Sequence, residues 1–357
     1  MKRAGLATGL AAAALLVLAI PASATTRTVS PGQSIQAAID LSIPGDTVLV
    51  KKGTYREYLQ IIDKDRITLK GQKGAVLKPP AVVTQNQCNR AGEVTGICVF
   101  GRVAKPPVPG PPTVLRVSQS DRITGLKISG FENDGVFFFA TNKARVDHTT
   151  LTRNGVYGAF SETSTRTRFD HNIVSGNKGE AGLFVSNSSN AHATVTRNKL
   201  INNHGGGVLI RSASHGTISR NTSSGNCIGI ELRADSPGPA GHWKVSRNKV
   251  TNNNRGCAEN KSKGEPAVSG IGIALAGVDH TVVSRNRIHG HKRKHRSLFY
   301  GGITVSLGPK GTKPSRVKIS RNLVTRNRPD INWVVRKGSV SFSHNRCVRG
   351  KPARICR

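Results

Sequence analysis

The most constraining feature of the chain is an internal repeat of short period. The dipeptide Arg-Asn recurs along the sequence, and in a representative unit Asn221 is followed by Gly225, Asn226 and Gly229. The positions that align with this asparagine are Leu126, Thr149, Asn172, Asn198, Asn221, Asn248, Asn286, Asn322 and Asn345, at steps of 23, 23, 26, 23, 27, 38, 36 and 23 residues. A period near 23 is too short for repeats of paired helices and is typical of a coil of short strands.

Each repeat holds brief segments in which apolar and polar residues alternate, such as Val195–Leu200. Alternation with a period of two indicates β-strands, and the glycines and asparagines between them supply the bends. We therefore predict an all-β parallel β-helix, with strands stacked about 4.8 Å apart and one rung, a single turn of the coil, per repeat. Aliphatic side chains fill such a narrow interior, which agrees with an aromatic content of only 4%.

The repeated asparagine is interpreted as structural, because a buried amide at a bend bonds the neighbouring backbone and stacks on its equivalents. Both ends of such a coil need caps. A short amphipathic helix within Ser34–Leu41 is expected to cover the first rung, and a loop between Cys347 and Cys356 the last. The predicted organisation is a signal peptide, 1–24, and a single β-helix domain, 25–357, divided into a cap and first rungs with a proline-rich loop, 25–114, repeat rungs, 115–345, and a disulfide-closed C-terminal cap, 346–357.

The first residues resemble an export signal. Lys2 and Arg3 precede an apolar run, Leu6–Ile20, which ends in small residues around Ser23, so cleavage is expected after Ala24. A membrane anchor is the alternative, but the run is short for a bilayer span. Localisation is therefore predicted to be secreted and extracellular, with no membrane span after cleavage.

Charge and cysteine content point to an extracytoplasmic protein with an anionic partner. The chain carries 54 Lys+Arg against 19 Asp+Glu, a net charge of +35, and loss of the signal peptide leaves +33. Export favours an anionic polysaccharide or cell-wall polyanion over nucleic acid. It also favours disulfides. Although six cysteines allow 15 connectivities, we predict the pairs Cys88–Cys98, Cys227–Cys257 and Cys347–Cys356.

Several N-terminal motifs and the repeats together resemble a known superfamily. Ser34–Asp40, Pro44–Val48 and Gly53–Glu57, followed by the Asn- and Gly-rich repeats, resemble secreted right-handed parallel β-helix proteins of the pectin lyase-like superfamily. The segments Gly225–Ile230 and Asp235–Asn254 further resemble an actinobacterial subgroup. The resemblance covers about Val29 to Asn345 and implies the fold. It implies no single activity, since the superfamily includes lyases, hydrolases, epimerases, copper-processing periplasmic proteins and adhesins.

One outward face of the coil is the candidate binding surface. Aligning the glycine that opens one strand per rung predicts that Phe137, Tyr157 and Phe184 point outward on successive rungs, with Glu231 further along near Arg211 and Arg233. Aromatic rings stack on sugars, and guanidinium groups bind carboxylates in bidentate fashion. These residues are candidate substrate-binding groups for a chain of uronic acids. The alternative is that a loop, such as the proline-rich one, covers the aromatic residues.

Catalytic candidates lie at the loop edge of the same face. Asp134, Glu180 and His204 precede the strands, and Glu231 lies on one. A polysaccharide lyase needs a base and a group that neutralises the uronate carboxylate, whereas an inverting hydrolase needs two carboxylates. The alternative for each residue is a solvated turn.

Other observations limit the range of functions. No cofactor is predicted, because the chain lacks the dense aspartate cluster of a pectate-lyase calcium site, and one Met without a Met/His motif disfavours copper processing. The basic run His289–Arg296 is expected to be a solvated loop that gains charge below about pH 6.5. We expect a monomer that binds, and processes by lyase-type or hydrolytic chemistry, an acidic extracellular polysaccharide. A non-catalytic module for polyanions is the alternative, and extracellular DNA binding ranks lower.

Overall fold

The chain forms a coil of three parallel sheets. The computed structural model describes residues 23–356 apart from 85–87, 89–93, 105–111, 236–238, 260–265, 295, 298 and 336. Each rung contributes one strand to each sheet in turn, and the strands pair in parallel with the equivalent strands of the next rung. The fold is a right-handed parallel β-helix, which confirms the prediction from the repeats.

The strands are short and recur in the same order along the chain. The strands of the first sheet are Thr26–Val29, Thr47–Val50, Thr68–Gly71, Arg122–Thr124, Arg145–Asp147, Arg168–Asp170, Ala193–Thr196, Gly216–Ser219, Trp243–Ser246, Val282–Ser284, Val317–Ser320 and Val340–Ser343. Those of the second sheet are Gly53–Arg56, Ala75–Lys78, Lys127–Ser129, Thr150–Thr152, Ile173–Ser175, Lys199–Ile201, Thr222–Ser224, Lys249–Thr251, Arg287–His289 and Leu323–Thr325. Those of the third sheet are Leu59–Ile62, Ile97–Phe100, Val136–Phe139, Ala159–Glu162, Ala181–Ser188, Gly206–Ala213, Ile228–Arg233, Ile271–Ala276, Gly301–Ser306, Ile331–Trp333 and Gly350–Lys351.

The predicted asparagine ladder runs through the bends between the first and second sheets. Asn221 accepts hydrogen bonds at Oδ1 from the backbone N and the Nδ2 of Asn198, 2.9 and 3.0 Å away, and its own Nδ2 donates to Asn248. The same contacts repeat on neighbouring rungs and continue to Asn345. The structural interpretation of this asparagine agrees with these contacts.

A second ladder, which the repeat analysis missed, runs through the bends between the second and third sheets. Its buried members, in order, are Asn154, Asn177, Asn203, Asn226, Asn253, His291 and Asn327. His291 is 0% exposed. The expectation that the whole basic run is solvated is therefore wrong at His291, because its ring takes the place of an amide inside the ladder.

Both ends of the coil are capped. The helix Ile35–Asp40 buries Ile35 and Ile39, and its first turn is held by Glu57, whose carboxylate accepts from the backbone N of Ile35 at 2.8 Å. At the other end, a 3-10 turn at Ala353–Cys356 is tied back by the Cys347–Cys356 disulfide.

All three predicted disulfides are confirmed: Cys88–Cys98, Cys227–Cys257 and Cys347–Cys356. Disulfides of this kind persist in oxidising compartments outside the cytoplasm. In the part of the chain that the structure describes, no helix has the length and apolar character needed to cross a membrane.

Among the residues that the structure describes, three short pairs of strands lie outside the main sheets. Arg102–Ala104 and Thr113–Arg116 form an antiparallel hairpin that flanks the proline-rich loop, and Gly256–Cys257 pairs with Val268–Ser269. Ser118–Gln119 pairs with Thr141–Asn142 in parallel. The tip of the proline-rich loop, 105–111, lies outside the described residues, as does most of the predicted signal peptide.

Candidate functional site

The outer face of the third sheet carries the predicted binding residues with one change of register. Phe137 pairs with Phe160, and Phe160 pairs with Phe184. The alignment of Tyr157 with this row is wrong by three residues, because Gly158, not Gly155, occupies the position equivalent to Gly135. The row continues through Leu209, Glu231, Ala274 and Thr304.

The aromatic residues form a packed cluster. Phe160 stacks on Phe137 and on Phe184, with ring centroids 4.9 and 4.7 Å apart. Tyr157 also contacts Phe184, at 4.9 Å, and these two side chains are only 8% and 4% exposed. Phe137 contacts the rings of Phe100 and Phe139, and it packs against the same buried cluster as Val103 and Val114 of the hairpin do. Phe137 keeps intermediate exposure, and the hairpin packs beside it on the same cluster.

Beside the aromatic residues lies a group of charged side chains that we call the carboxylate–arginine cluster: Glu180, Arg211, Glu231, Arg233 and Asp235. Arg233 is central, with Nη2 3.1 Å from Glu180 Oε2 and Nη1 3.6 Å from Glu231 Oε1. Arg211 Nε lies 3.0 Å from Asp235 Oδ2. The side chain of Arg211 is 36% exposed, whereas that of Glu231 is 15% exposed. Solvent therefore reaches the cluster mainly at Arg211.

Glu231 is the electrostatically unusual member of the cluster. Its burial raises the pKa of the carboxyl group, and the nearby Glu180 and Asp235 raise it further. Arg233 and Arg211 oppose these effects, but the net direction is upward. Glu231 therefore keeps its proton to higher pH than an exposed glutamate does.

The other two catalytic candidates occupy different surroundings. Asp134 is 3% exposed, and its Oδ1 accepts a hydrogen bond from the backbone N of Tyr157 at 2.9 Å, so it holds the bend between rungs. His204 is exposed at the loop edge, where partial burial together with Arg255 and Lys178 lowers its pKa. Tyr157 links the two groups of the face, because its hydroxyl lies 3.4 Å from Glu180 Oε1.

The substitution Glu231→Gln is expected to stabilise the protein at neutral pH. Folding raises the pKa of Glu231 above its unfolded value near 4.5. The favourable contribution of Glu231 to the free energy of folding is therefore full below pH 4.5 and is lost as the pH rises through the pKa of the folded state. A neutral amide avoids that loss. We expect the melting temperature to rise by about 2 °C or more at pH 7.5 and to match wild type near pH 4.

Thermal unfolding followed by circular dichroism at both pH values measures this effect. The exposed Glu132→Gln serves as the control and is expected to change neither value. A melting temperature for Glu231→Gln below wild type at pH 7.5 would contradict the assignment of Glu231 as a carboxyl with a raised pKa.

A second charged surface lies on the bends between the first and second sheets. One residue per rung adopts a left-handed conformation here, and we call this row the arginine ridge: His148, His171, Arg197, Arg220, Arg247, Arg285, Arg321 and His344. At its N-terminal end, Asp147 pairs with Arg122 and Arg145 at 2.8 and 2.7 Å. Asp170 lies 3.6 Å from Arg197.

Beyond Arg197, no acidic partner of the ridge is found in the described part of the chain. The positions in register with Asp170 are Thr196, Ser219, Ser246, Ser284, Ser320 and Ser343. Among the described residues, no ion pair involves Arg220, Arg247, Arg285 or Arg321. The ridge therefore presents a line of cations, one per rung.

A row of histidines was missed by the sequence analysis. His192, His215, His242 and His280 lie on the bends before strands of the first sheet, and their rings stack in succession. Their steps of 23, 27 and 38 residues equal the steps from Asn198 to Asn286, which is the signal that would have found them. We call these four residues the histidine row. Among the described residues, His242, His280 and the adjacent Asp279 form the one group with the donor atoms and spacing to hold a metal ion.

A family comparison matches slightly more than half of the chain. The sequence model of the family described as "Periplasmic copper-binding protein (NosD)" matches residues 83–267. The single methionine disfavours copper processing by this chain, whereas the match assigns the chain to a family with that description. The imidazole and carboxylate donors of His242, Asp279 and His280 are of types that bind copper(II). No curated protein matches the sequence.

Comparison with solved structures shows the fold. The Azotobacter vinelandii mannuronan C-5 epimerase AlgE4 A-module is similar at 15% identity, over 87% of this chain and 89% of that chain, with a TM-score of 0.57. A mutant of the periplasmic alginate epimerase AlgG matches at 14% identity over 89% and 83%, with a TM-score of 0.54. The Agl-KA catalytic domain matches at 13% identity over 92% and 66%, with a TM-score of 0.56.

Proposed function

The chain belongs to the NosD family of β-helix proteins, and we propose that this member is secreted, binds an acidic extracellular polysaccharide and cleaves it. The observation that carries the proposal is the carboxylate–arginine cluster on the outer face of the third sheet. It combines Glu231, whose pKa is raised by burial, with Arg211, which remains accessible to solvent. Two structures of the same fold are named as epimerases of mannuronan and alginate, which are polymers of uronic acids.

The roles of the residues follow from their surroundings. Arg211 binds a uronate carboxylate of the substrate. Its exposed guanidinium group gives up its contact with Asp235 to do so. Neutralising the carboxylate makes the proton on the adjacent carbon easier to remove, which is the requirement of lyase-type cleavage. Glu231 supplies acid–base catalysis beside it, and Arg233 positions Glu231 and Glu180.

We expect the purified protein to release products from at least one uronate polymer, tested with polygalacturonate, alginate and hyaluronate. Lyase-type cleavage gives an unsaturated product that is followed by ultraviolet absorbance, and hydrolysis gives reducing ends without that absorbance. Glu231→Gln is expected to lower the rate by about 100-fold or more, because it removes an acid–base group. The exposed Glu132→Gln is the matched control and is expected to keep full activity.

A non-catalytic module for polyanions is the second candidate, and the arginine ridge favours it. A line of unpaired cations attracts a linear polyanion without any chemistry at one bond. The same polymer panel separates the candidates. No product from any polymer, with salt-sensitive binding that persists in Glu231→Gln, would overturn the cleavage proposal and leave the module. Binding to double-stranded DNA as tight as to uronate polymers at equal salt would instead favour nucleic acid.

A further inference from the structure

Two backbone hydrogen bonds hold the middle of the basic run His289–Arg296, which the proposed function does not use. The backbone N of Lys292 donates to Asn254 Oδ1 at 2.8 Å, and that of Lys294 donates to Ser269 Oγ at 3.4 Å. Both acceptors belong to the preceding rung. The backbone of the run is therefore fixed against the coil around these two lysines.

A cavity of about 650 Å³ lies between this run and the bend of the preceding rung. Asn254 joins the two walls, because its Nδ2 also donates to Gly290 O at 3.0 Å. The Cys227–Cys257 disulfide ties the end of the bend to the rung before it. We call this cavity the basic pocket, and it is lined by Gly225, Asn252, Asn254, Arg255, Gly256 and Lys294.

The lining of the basic pocket is polar and positively charged. Arg255 and Lys294 are exposed, and in the described part of the chain no ion pair involves either of them. The six lining residues include no aromatic or aliphatic side chain that would suit an apolar ligand. Partial burial, Arg255 and Lys178 lower the pKa of the nearby His204, so the positive field extends beyond the pocket.

The size and the chemistry of the basic pocket suit an acidic sugar. Its volume falls within the range of about 300–1,000 Å³ that sites for small organic ligands have, which is more than an inorganic anion fills. The guanidinium fork of Arg255 matches a carboxylate, and Lys294 adds a second positive charge. The exposed amide of Asn252 offers both a donor and an acceptor for ring hydroxyl groups.

We propose that the basic pocket binds one carboxylate-bearing sugar unit of an acidic polysaccharide, as an anchoring site separate from the carboxylate–arginine cluster. Arg255 and Lys294 hold the carboxylate, and Asn252 holds hydroxyl groups of the ring. The pocket lies at the bend before Ile271–Ala276, a strand that pairs with the strand of Glu231. The identity of the polymer rests on the proposed function, whereas binding in the pocket requires no cleavage.

Calorimetric titration with trigalacturonate in about 0.15 M salt, which screens the general field of the protein, tests the proposal. Arg211→Gln is the parent protein, because this change removes the uronate site proposed at the cluster. We expect one site in the parent. Adding Arg255→Gln and Lys294→Gln is expected to weaken binding about tenfold or more. The methyl-esterified trisaccharide, which lacks the charge, and inorganic phosphate are expected to bind the parent at least about tenfold more weakly than trigalacturonate does.

The matched control adds Lys52→Gln and Arg56→Gln to the same parent. These exposed cations lie beside and on the first strand of the second sheet, six strands from Thr222–Ser224, which leads into the pocket. The control loses the same two charges and is expected to bind like the parent, and melting curves check that each variant is folded.

Three results would overturn the proposal. They are equal affinity of the parent and the Arg255→Gln/Lys294→Gln variant, an equal loss in the Lys52→Gln/Arg56→Gln control, and phosphate or the methyl ester bound as tightly as trigalacturonate. Because these titrations measure binding in a protein that lacks the Arg211 site, they separate failure of the anchoring site from failure of cleavage at the cluster.

Discussion

Asn221→Ala is expected to lower the free energy of unfolding by about 3 kcal/mol or more. The Asn221 side chain donates to Val195 O at 2.9 Å and to Asn248 Oδ1 at 3.0 Å, and it accepts from two nitrogens of Asn198. Alanine leaves buried backbone and side-chain groups on the two neighbouring rungs without these partners. Each buried unsatisfied group costs about 1–3 kcal/mol, so the effect exceeds that of a single lost hydrogen bond.

Urea unfolding followed by circular dichroism measures this loss. Asn190→Ala is the control, because Asn190 is exposed in a turn, and a surface change of this kind is expected to stay within about 0.5 kcal/mol. If Asn221→Ala were as stable as Asn190→Ala, the ladder would not be a major source of stability.

His291→Asn is expected to remove a large part of the acid sensitivity of the fold. In wild type, Asn253 Nδ2 donates to His291 Nε2 at 3.2 Å, and His291 Nδ1 donates to Asn327 Oδ1 at 2.9 Å. Burial of the ring lowers the pKa of His291 to about 4. Protonation of Nε2 would also set its N–H against the Nδ2 donor of Asn253.

The direction of the pH effect follows from this lowered pKa. The contribution of His291 to stability is full above its unfolded pKa of 6.5 and is lost as pH falls toward 4, by about 3 kcal/mol in all. Asparagine restores the amide of the ladder and does not titrate. We expect urea unfolding at pH 7.5 and 4.5 to show a smaller difference for His291→Asn than for wild type. The exposed His344→Asn is expected to retain the wild-type difference, and a similar retention by His291→Asn would contradict the ladder role.

The sequence predicts the fold well because the fold is itself periodic. The aligned positions from Leu126 to Asn345 recur once per rung, so a repeat in the sequence becomes a repeat in space. The disulfides were also predictable, because Cys88–Cys98 and Cys347–Cys356 join residues close in sequence. The second ladder was harder to recognise, because histidine replaces asparagine at His291.

The candidate site was predicted only in part, because its register depends on hydrogen bonds between rungs. Gly155 and Gly158 both precede small or aliphatic residues, so the sequence does not tell them apart. The hydrogen bonds of Gly158 to neighbouring rungs identify it as the equivalent of Gly135. The error moved Tyr157 into the row and left Phe160 out. The hairpin of Arg102–Ala104 and Thr113–Arg116 packs against the same buried cluster as Phe137, and no local pattern in the sequence predicts that packing.

The change from aspartate to serine along the arginine ridge gives the molecule a polarity along its long axis. Near Asp147 and Asp170 the cations are offset by carboxylates, whereas from Arg220 to Arg321 they are not. The electric field of the ridge is therefore strongest toward the C-terminal end. A long polyanion that diffuses toward the protein is drawn to that end first, so the encounter has a preferred orientation before any specific contact forms.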